Sequence, residues 1–186
     1  MISINEVENN MGLLVDGQLY FVTEYNHVKP GKGSAFVRIR LKNIRTDAVL
    51  ERTFRSADTL EDAPLERRKM QYTYAAGDEY HFMDQNTYED TVISREILGD
   101  GFKYLKDDSI VEAILYNGSV VKAEMPTFII CKIIETDPGL KGDSSRAGYK
   151  PGKIDTGASV QIRLFIQVGD TLTVDFNASD GVITLT

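Results

Sequence analysis

Asn26-His27-Val28-Lys29-Pro30-Gly31-Lys32-Gly33-Ser34-Ala35-Phe36 separates two strand-like runs, Leu19 to Tyr25 before it and Phe36 to Leu41 after it. Pro30 fixes its own φ at the value wanted by the first central position of a turn, and Gly31 and Gly33 supply the positive φ of a tight reversal. Lys32 stands between the two glycines, so a long cationic side chain is presented at a hairpin tip with no bulky neighbour. Lysine and glycine collect at solvated tips in any protein. The stretch therefore takes its meaning from what surrounds it.

On the N-terminal side, Leu13 to Val15 and Leu19 to Tyr25 are joined by Asp16-Gly17, a hairpin dipeptide. On the other side, Phe36-Val37-Arg38-Ile39-Arg40-Leu41-Lys42 mixes apolar and basic residues. Phe36, Ile39 and Leu41 are expected to face inward, with a bulge near Val37, and Arg38, Arg40 and Lys42 to face the other way. Thr46-Asp47 turns into a further strand, Val49 to Phe54. These short strands predict a small barrel over residues 1–64.

Ser56 to Pro64 is polar, acidic and ends in proline, and reads as a link. A second barrel over 65–126 opens with Glu66-Arg67-Arg68-Lys69-Met70-Gln71-Tyr72-Thr73-Tyr74 and turns at Gly77-Asp78 into Tyr80 to Asp84. Ile97, Phe102 and Leu105 have helical spacing, but Gly99 and Gly101 interrupt it, which predicts a short, broken helix in Ser94 to Lys106. Ile110 to Tyr116, an Asn117-Gly118 turn and Val120 to Glu124 complete this unit, and Pro126 marks its end. A third barrel over 127–186 begins with Phe128 to Glu135. A long polar loop from Asp137 to Lys153 follows, then strands at Val160 to Val168, Thr171 to Phe176 and Val182 to Leu185. A loop of that length in a small barrel is functional or disordered. Five-stranded OB-type barrels suit units two and three. No internal repeat is visible.

An apolar content of 42% with 26% charged residues is that of a soluble globular protein. No apolar run approaches the roughly 20 residues that span a bilayer, and Met1 to Glu8 lacks the basic and apolar regions of a signal peptide. Cys131 is the only cysteine, which excludes an intramolecular disulfide and a multi-cysteine zinc site, and its apolar run predicts a buried thiol. A cytoplasmic location is expected. The net charge of −7 hides a segregation. Lys29, Lys32, Arg38, Arg40, Lys42, Arg45, Arg52 and Arg55 are opposed within their segment only by Asp47 and Glu51. A basic face on an acidic protein suits local docking to phosphate without indiscriminate nucleic-acid binding.

Nothing supports covalent or acid–base catalysis. His27 and His81 are the only histidines, and both read as structural. Pro30-Gly31-Lys32-Gly33 lacks the spacing and following helix of a phosphate loop. Asp84, Glu89 and Asp90 read as a solvated acidic face. The expectation is a binding protein, not an enzyme, with no metal and no cofactor.

Several stretches in order resemble the bacterial translation elongation factor P family over essentially the full length. They are Val28 to Arg38, Glu51-Arg52-Thr53-Phe54, Glu66 to Tyr72, Gly77 to Asp84, Asp137-Pro138-Gly139-Leu140-Lys141-Gly142-Asp143 with Lys150-Pro151, and Leu164 to Asp170. The resemblance implies an SH3-like N-terminal barrel and two OB-type barrels in an L-shaped arrangement that mimics tRNA. It implies a monomer that binds the 70S ribosome beside the peptidyl-tRNA and relieves stalling at consecutive prolines. Lys32, flanked by Lys29, Pro30, Gly31 and Gly33, would be extended by a lysine-modifying enzyme and reach toward the tRNA acceptor end. Arg38, Arg40, Lys42, Arg52 and Arg55 would contact tRNA or rRNA. Gly142, Asp143 and Ser144 would read the exit-site codon region, Ser144 keeping the hydroxyl of the usual Thr. The C-terminus departs from the family: Asp175-Phe176-Asn177-Ala178-Ser179-Asp180-Gly181-Val182 lacks the usual arginine and tyrosine. The alternatives are an elongation factor P-like paralogue, or a generic OB-type single-stranded nucleic-acid binder using Tyr72, Tyr74 and Tyr80 as a stacking face.

Overall fold

A computed structural model describes residues 1–31, 33–138, 148–175 and 183–185. The architecture is all-β, three curled sheets of the small-barrel kind. The first sheet contains β1 (Ile2–Ser3), β2 (Gly12–Val15), β3 (Gln18–Val28), β4 (Phe36–Asn43), β5 (Val49–Arg55) and β6 (Thr59–Asp62), in the order β1-β6-β2-β3-β4-β5. The second contains β7 (Leu65–Ala76), β8 (Glu79–Asp84), β9 (Asp90–Ser94), β10 (Ile110–Tyr116) and β11 (Ser119–Glu124), in the order β11-β10-β7-β8-β9. The third contains β12 (Phe128–Thr136), β13 (Tyr149–Ile154), β14 (Ser159–Arg163), β15 (Thr171–Asp175) and β16 (Ile183–Leu185), in the order β14-β13-β12-β15-β16.

The chain divides into two compact units. One is Met1–Arg68 with Ala113–Ala123, and the other is Lys69–Glu112 with Glu124–Thr186. In the first unit Ile4, Leu13, Val22, Val37, Ile39 and Leu41 are buried together. In the second, Ile129, Cys131, Ile133, Ile154, Ile162 and Leu172 form a core against which Tyr104 and Met125 pack. The expected dipeptide turns are present. Asp16 and Gly17 (φ 51° and 75°) and Asn117 and Gly118 (φ 49° and 78°) take the left-handed pairs of two-residue hairpins. The Ser94 to Lys106 stretch is a single helical turn, α1 (Arg95–Leu98), running into a 3-10 segment, Gly99–Tyr104, as its two glycines predict.

Several elements differ from expectation. Ser56 to Pro64 is not merely a link, because its centre forms β6, with Leu60 opposite Ile2 and Glu61 opposite Leu14. Of its acidic residues Glu61 is exposed and Asp62 half-buried on a short strand, where composition hides the pairing. The Val160 to Val168 run stops as a strand at Arg163. There the chain turns, with Ile166 N–H donating to Arg163 O and Gln167 N–H to the Asp170 carboxylate. The polar loop was expected to reach Lys153, but β13 begins at Tyr149, and Pro151 and Gly152 lie within it. Gly152 is required there: a Cβ would sit 2.6 Å from Ile162 Cδ1 on the adjacent strand. Sequence reading also missed β9, whose Asp-Thr-Val-Ile-Ser is too polar to register as a strand.

The bulge expected near Val37 in β4 is absent. Val37, Ile39, Leu41 and Asn43 are buried in strict alternation, and Phe36 falls on the face of Arg38, Arg40 and Lys42. The register shift is in β3 instead, between Val22 and Glu24, where the Thr23 hydroxyl donates to Arg40 O at 3.1 Å. The same device recurs in the second sheet. β7 shifts register between Tyr72 and Tyr74, and the Thr73 hydroxyl donates to His81 O at 3.0 Å. Three residues before each bulge, Tyr20 faces Asn43 and Met70 faces Asp84. A turn of five residues then follows each buried Asx. A structural repeat thus underlies two sheets whose sequences share almost nothing.

Candidate functional site

The two copies differ in length at one place. Thr23 and Asn43 are twenty positions apart and Thr73 and Asp84 eleven, so the first hairpin is longer by nine residues. In the second sheet the strands close at Ala76 opposite Glu79, around Gly77-Asp78. In the first, pairing continues through Tyr25–Ile39, Asn26–Arg38 and His27–Val37 to Val28–Phe36. The extension carries residues 29–35 at its end. Lys29, Pro30, Gly31 and Gly33 are all exposed there. Gly33 takes a φ of 114°, which a side chain rarely adopts. Gly31 does not need positive φ, contrary to expectation. Lys32 lies outside the described residues.

Cross-strand partners point to the same face of a sheet, so register sorts the basic residues. Phe36–Arg55, Arg38–Thr53, Arg40–Glu51 and Lys42–Val49 form one set of rows, and Val37–Phe54, Ile39–Arg52 and Leu41–Leu50 form the other. Arg38, Arg40, Lys42 and Arg55 therefore share the outer face. Arg52 is not brought to them: it lies on the opposite face of β5, where its guanidinium meets Asp16 of the first hairpin turn. The outer cations are tied into carboxylates. Arg38 Nε is 3.3 Å from Glu51, and Arg40 bridges Glu24 at 3.0 Å and Glu51 at 3.7 Å. Lys42 and Lys122 both reach Asp47, at 3.0 and 2.6 Å. Partial burial pushes the Asp47 carboxyl up, but the two ammonium hydrogen bonds outweigh it and hold the group below the ordinary aspartate value.

At the tip end of this face an open cleft is lined by Ser34, Ala35, Phe36, Thr53, Arg55 and Ser56. Its floor is pinned. Asn5 donates to Ser56 O at 3.1 Å, and the Arg55 N–H donates to the Asp58 carboxylate at 2.8 Å. Charge composition names Asp47 and Glu51 but misses Asp16, Glu24 and Lys122, which lie in the first hairpin turn and on other strands. Gly142, Asp143 and Ser144 lie outside the described residues, as do residues 176–182. Of the three candidate stacking tyrosines, Tyr80 is buried and Tyr72 packs against Tyr80 and Phe82. Only Tyr74 is open, and it lies parallel to His81 at 4.2 Å, with His81 Nδ1 2.8 Å from Asp90. Cys131 is buried as expected, and burial pushes its thiol up to about 11.

Three family descriptions match along the chain in order. They are the elongation factor P KOW-like domain over residues 3–60, the elongation factor P OB domain over 65–123 and the elongation factor P C-terminal domain over 129–180. Elongation factor P of Moorella thermoacetica is 47% identical over 175 residues, 94% of this chain and 95% of the relative. Elongation factor P of Caldicellulosiruptor saccharolyticus is 43% identical over 180 residues, 97% of each. Among solved structures, eukaryotic translation initiation factor 5A from Methanococcus jannaschii matches with a TM-score of 0.50 at 23% identity, over 66% of this chain and 92% of that one. A translation initiation factor eif-5a family protein from Naegleria fowleri gives 0.53 at 14%, over 67% and 96%. At those identities the structural likeness speaks for the fold alone.

Proposed function

This chain belongs to the elongation factor P family and is a translation elongation factor, and we propose that it promotes peptide-bond formation at consecutive prolines by positioning the acceptor end of the peptidyl-tRNA on the 70S ribosome. The observation that carries this reading is the nine-residue extension of one hairpin over its counterpart, with Lys29, Pro30, Gly31, Gly33 and Ser34 exposed at its end. Proline reacts slowly because its ring restricts both the attacking amine and the peptidyl ester. A factor that holds the ester in a reactive orientation lowers that barrier without supplying an acid or base, and orientation alone contributes several kcal/mol. Lys32 is the reaching group. Extended by a lysine-modifying enzyme, it carries a cation into a phosphate-lined site, where a preorganised charge acts strongly. No small-molecule cofactor is needed for positioning. The basic face behind the tip docks on RNA phosphate, Gly142, Asp143 and Ser144 approach the exit-site codon, and the factor works as a monomer in the cytoplasm.

The test is synthesis of a peptide with three consecutive prolines in a reconstituted translation system. The reactions contain no factor, factor purified from its own host, or the Lys32→Ala variant. Relief of stalling by the host-purified protein alone supports the proposal. Equal relief by Lys32→Ala would remove the lysine from the mechanism, and no relief by either would remove the proline role.

A further inference from the structure

The long hairpin has a foot as well as a tip, and Asp47 stands at the foot. Its φ of 59° is left-handed, a conformation that glycine adopts without a side-chain penalty. The turn itself needs only that backbone. Four residues after the buried Asx of the second copy, Tyr88 supplies it with a φ of 62°. An aspartate at this place adds a carboxylate that the turn does not use. Among the described residues, its Oδ1 meets two ammonium groups, Lys42 of β4 at 3.0 Å and Lys122 of β11 at 2.6 Å. The second contact joins residues 75 apart in sequence. The Lys122 side chain is only 19% exposed, so its ammonium is directed onto Asp47 and not into open water.

β11 is hydrogen-bonded to β10 at the edge of the second sheet. Yet Ala113–Ala123, which holds most of β11, forms one compact unit with Met1–Arg68. Where β11 meets the foot of the hairpin the packing is incomplete. Val121 lines a cleft of about 320 Å³ together with Gly17, Gln18, Leu19, Ile44 and Thr46. An open cleft does not fix an angle as close-packed side chains do. The contact beside it, Lys122 on Asp47, is left to fix it.

Leverage gives this contact its weight. β4 rises about 3.3 Å per residue, which puts Phe36 at its tip end about 23 Å from Asn43 at its foot. Over that length a tilt of about 1° at the foot moves the tip end by about 0.4 Å. A misplacement of about 1 Å can cost a positioned reaction about 100-fold. An ion pair too exposed to add much stability can therefore control a rate.

We propose that Asp47 and Lys122 are positioning residues, whose ion pair sets the angle of the long hairpin against β11 and thereby the place of the tip. This rests on the function proposed above and adds the joint from which the tip is aimed.

Two measurements test it. The first follows synthesis of the triple-proline peptide against factor concentration, using full-length wild type, Lys122→Met, Lys122→Arg and Asp47→Gly, each purified from its own host. Lys122→Met keeps the apolar stem and removes the charge. Asp47→Gly keeps the left-handed turn and removes the carboxylate. Both are expected to lower the maximal rate about tenfold with no change in the half-saturating concentration, and Lys122→Arg to restore the rate. The double variant should be no slower than Asp47→Gly alone, because one contact is lost in both. The second measurement, on the free protein, reads the distance distribution between spin labels at Thr53→Cys, near the tip end of β5, and Ser119→Cys on β11. Both positions are exposed, and Cys131 is buried and stays unlabelled. Loss of the pair is expected to broaden the distribution. An unchanged width in folded variants, checked by thermal unfolding, overturns the proposal. So does a full maximal rate in either variant, or a change confined to the half-saturating concentration, which would make the pair a docking contact. A wild type that gives no relief, with a distribution that still broadens in the variants, keeps the joint and overturns the function proposed above.

Discussion

Asn43 and Asp84 hold the same position in two copies of one turn. Asn43 Oδ1 accepts the N–H groups of Arg45 and Thr46 at 2.9 and 3.0 Å, and Asp84 Oδ1 those of Asn86 and Thr87 at 2.8 and 3.1 Å. Each residue's N–H reaches the carbonyl five positions on, Ala48 or Glu89, and its own carbonyl receives the N–H four positions on, Asp47 or Tyr88. Asp47 and Tyr88 both take positive φ, 59° and 62°. Both Asx side chains are buried, so the turn N–H groups depend on one acceptor. Asn43→Ala leaves those donors unsatisfied and should cost about 1–3 kcal/mol. Asn43→Asp keeps Oδ1, replaces the Nδ2 donor to Gln18 at 2.9 Å with a second acceptor, and should cost less than Asn43→Ala because the Gln18 amide can flip to donate and the two turn N–H groups stabilise the carboxylate. Urea unfolding of the two variants checks the order, and equal stability of Ala and wild type would refute it.

Gly152→Ala pushes a methyl into Ile162 Cδ1, 2.6 Å away, while Ile162 is fully buried. The expected loss is about 1–3 kcal/mol. Ile162→Val removes the clashing atom, so the double variant should be less destabilised than the sum of the two single losses. Strict additivity in thermal unfolding would show that the clash is relieved some other way.

Asp47 gives a signed pH effect. The two ammonium groups hold its carboxyl below the ordinary aspartate value, so its stabilisation is complete above that ordinary value and is lost as pH falls through the lower folded value. The side chain is 54% exposed, and solvent screening keeps the effect to about 1 kcal/mol or less. Asp47→Asn should therefore lower stability at pH 7 and converge with wild type in acid, once the pH has fallen through the lowered folded value. A constant difference between pH 7 and pH 2.5 would exclude the ion-pair origin.

Cys131 should be silent to thiol reagents in the folded protein. Its thiol is buried and shifted to about 11, so little thiolate exists at pH 8. Reaction with a chromogenic disulfide is expected only after denaturant is added, one equivalent per chain. Rapid reaction without denaturant would mean that β12 opens locally.

Much of the fold is legible from dipeptides whose chemistry is local. Asp16-Gly17 and Asn117-Gly118 state their turns outright, and Gly99 with Gly101 states the broken helix. The tip's exposed Pro30 and its left-handed Gly33 are legible for the same reason. What escapes is set by partners distant in sequence. β6 is a strand because β1 and β2 lie on either side of it, and β13 tolerates Pro151 and Gly152 because of what faces them. The facing of Arg52 could not be read because it is set by the β4–β5 register, which puts Arg52 opposite buried Ile39. The repeat was invisible because its shared elements reduce to a threonine and an Asx, at spacings that differ by nine.

Strand alternation sets a rule for how the tip can change its reach. Val28 and Phe36 close the loop, and every row back to Thr23 alternates inner and outer residues. Adding one residue to each arm would move the tip outward by about 3.3 Å but would send the side chains beyond the insertion to opposite faces. Adding two to each arm keeps the faces and moves the tip by about twice that. Adding one residue to a single arm requires a second bulge and a new twist. Backbone length is thus adjustable only in coarse steps. The chemical group proposed above for Lys32 would supply a finer adjustment, bond by bond, without disturbing any row of the sheet.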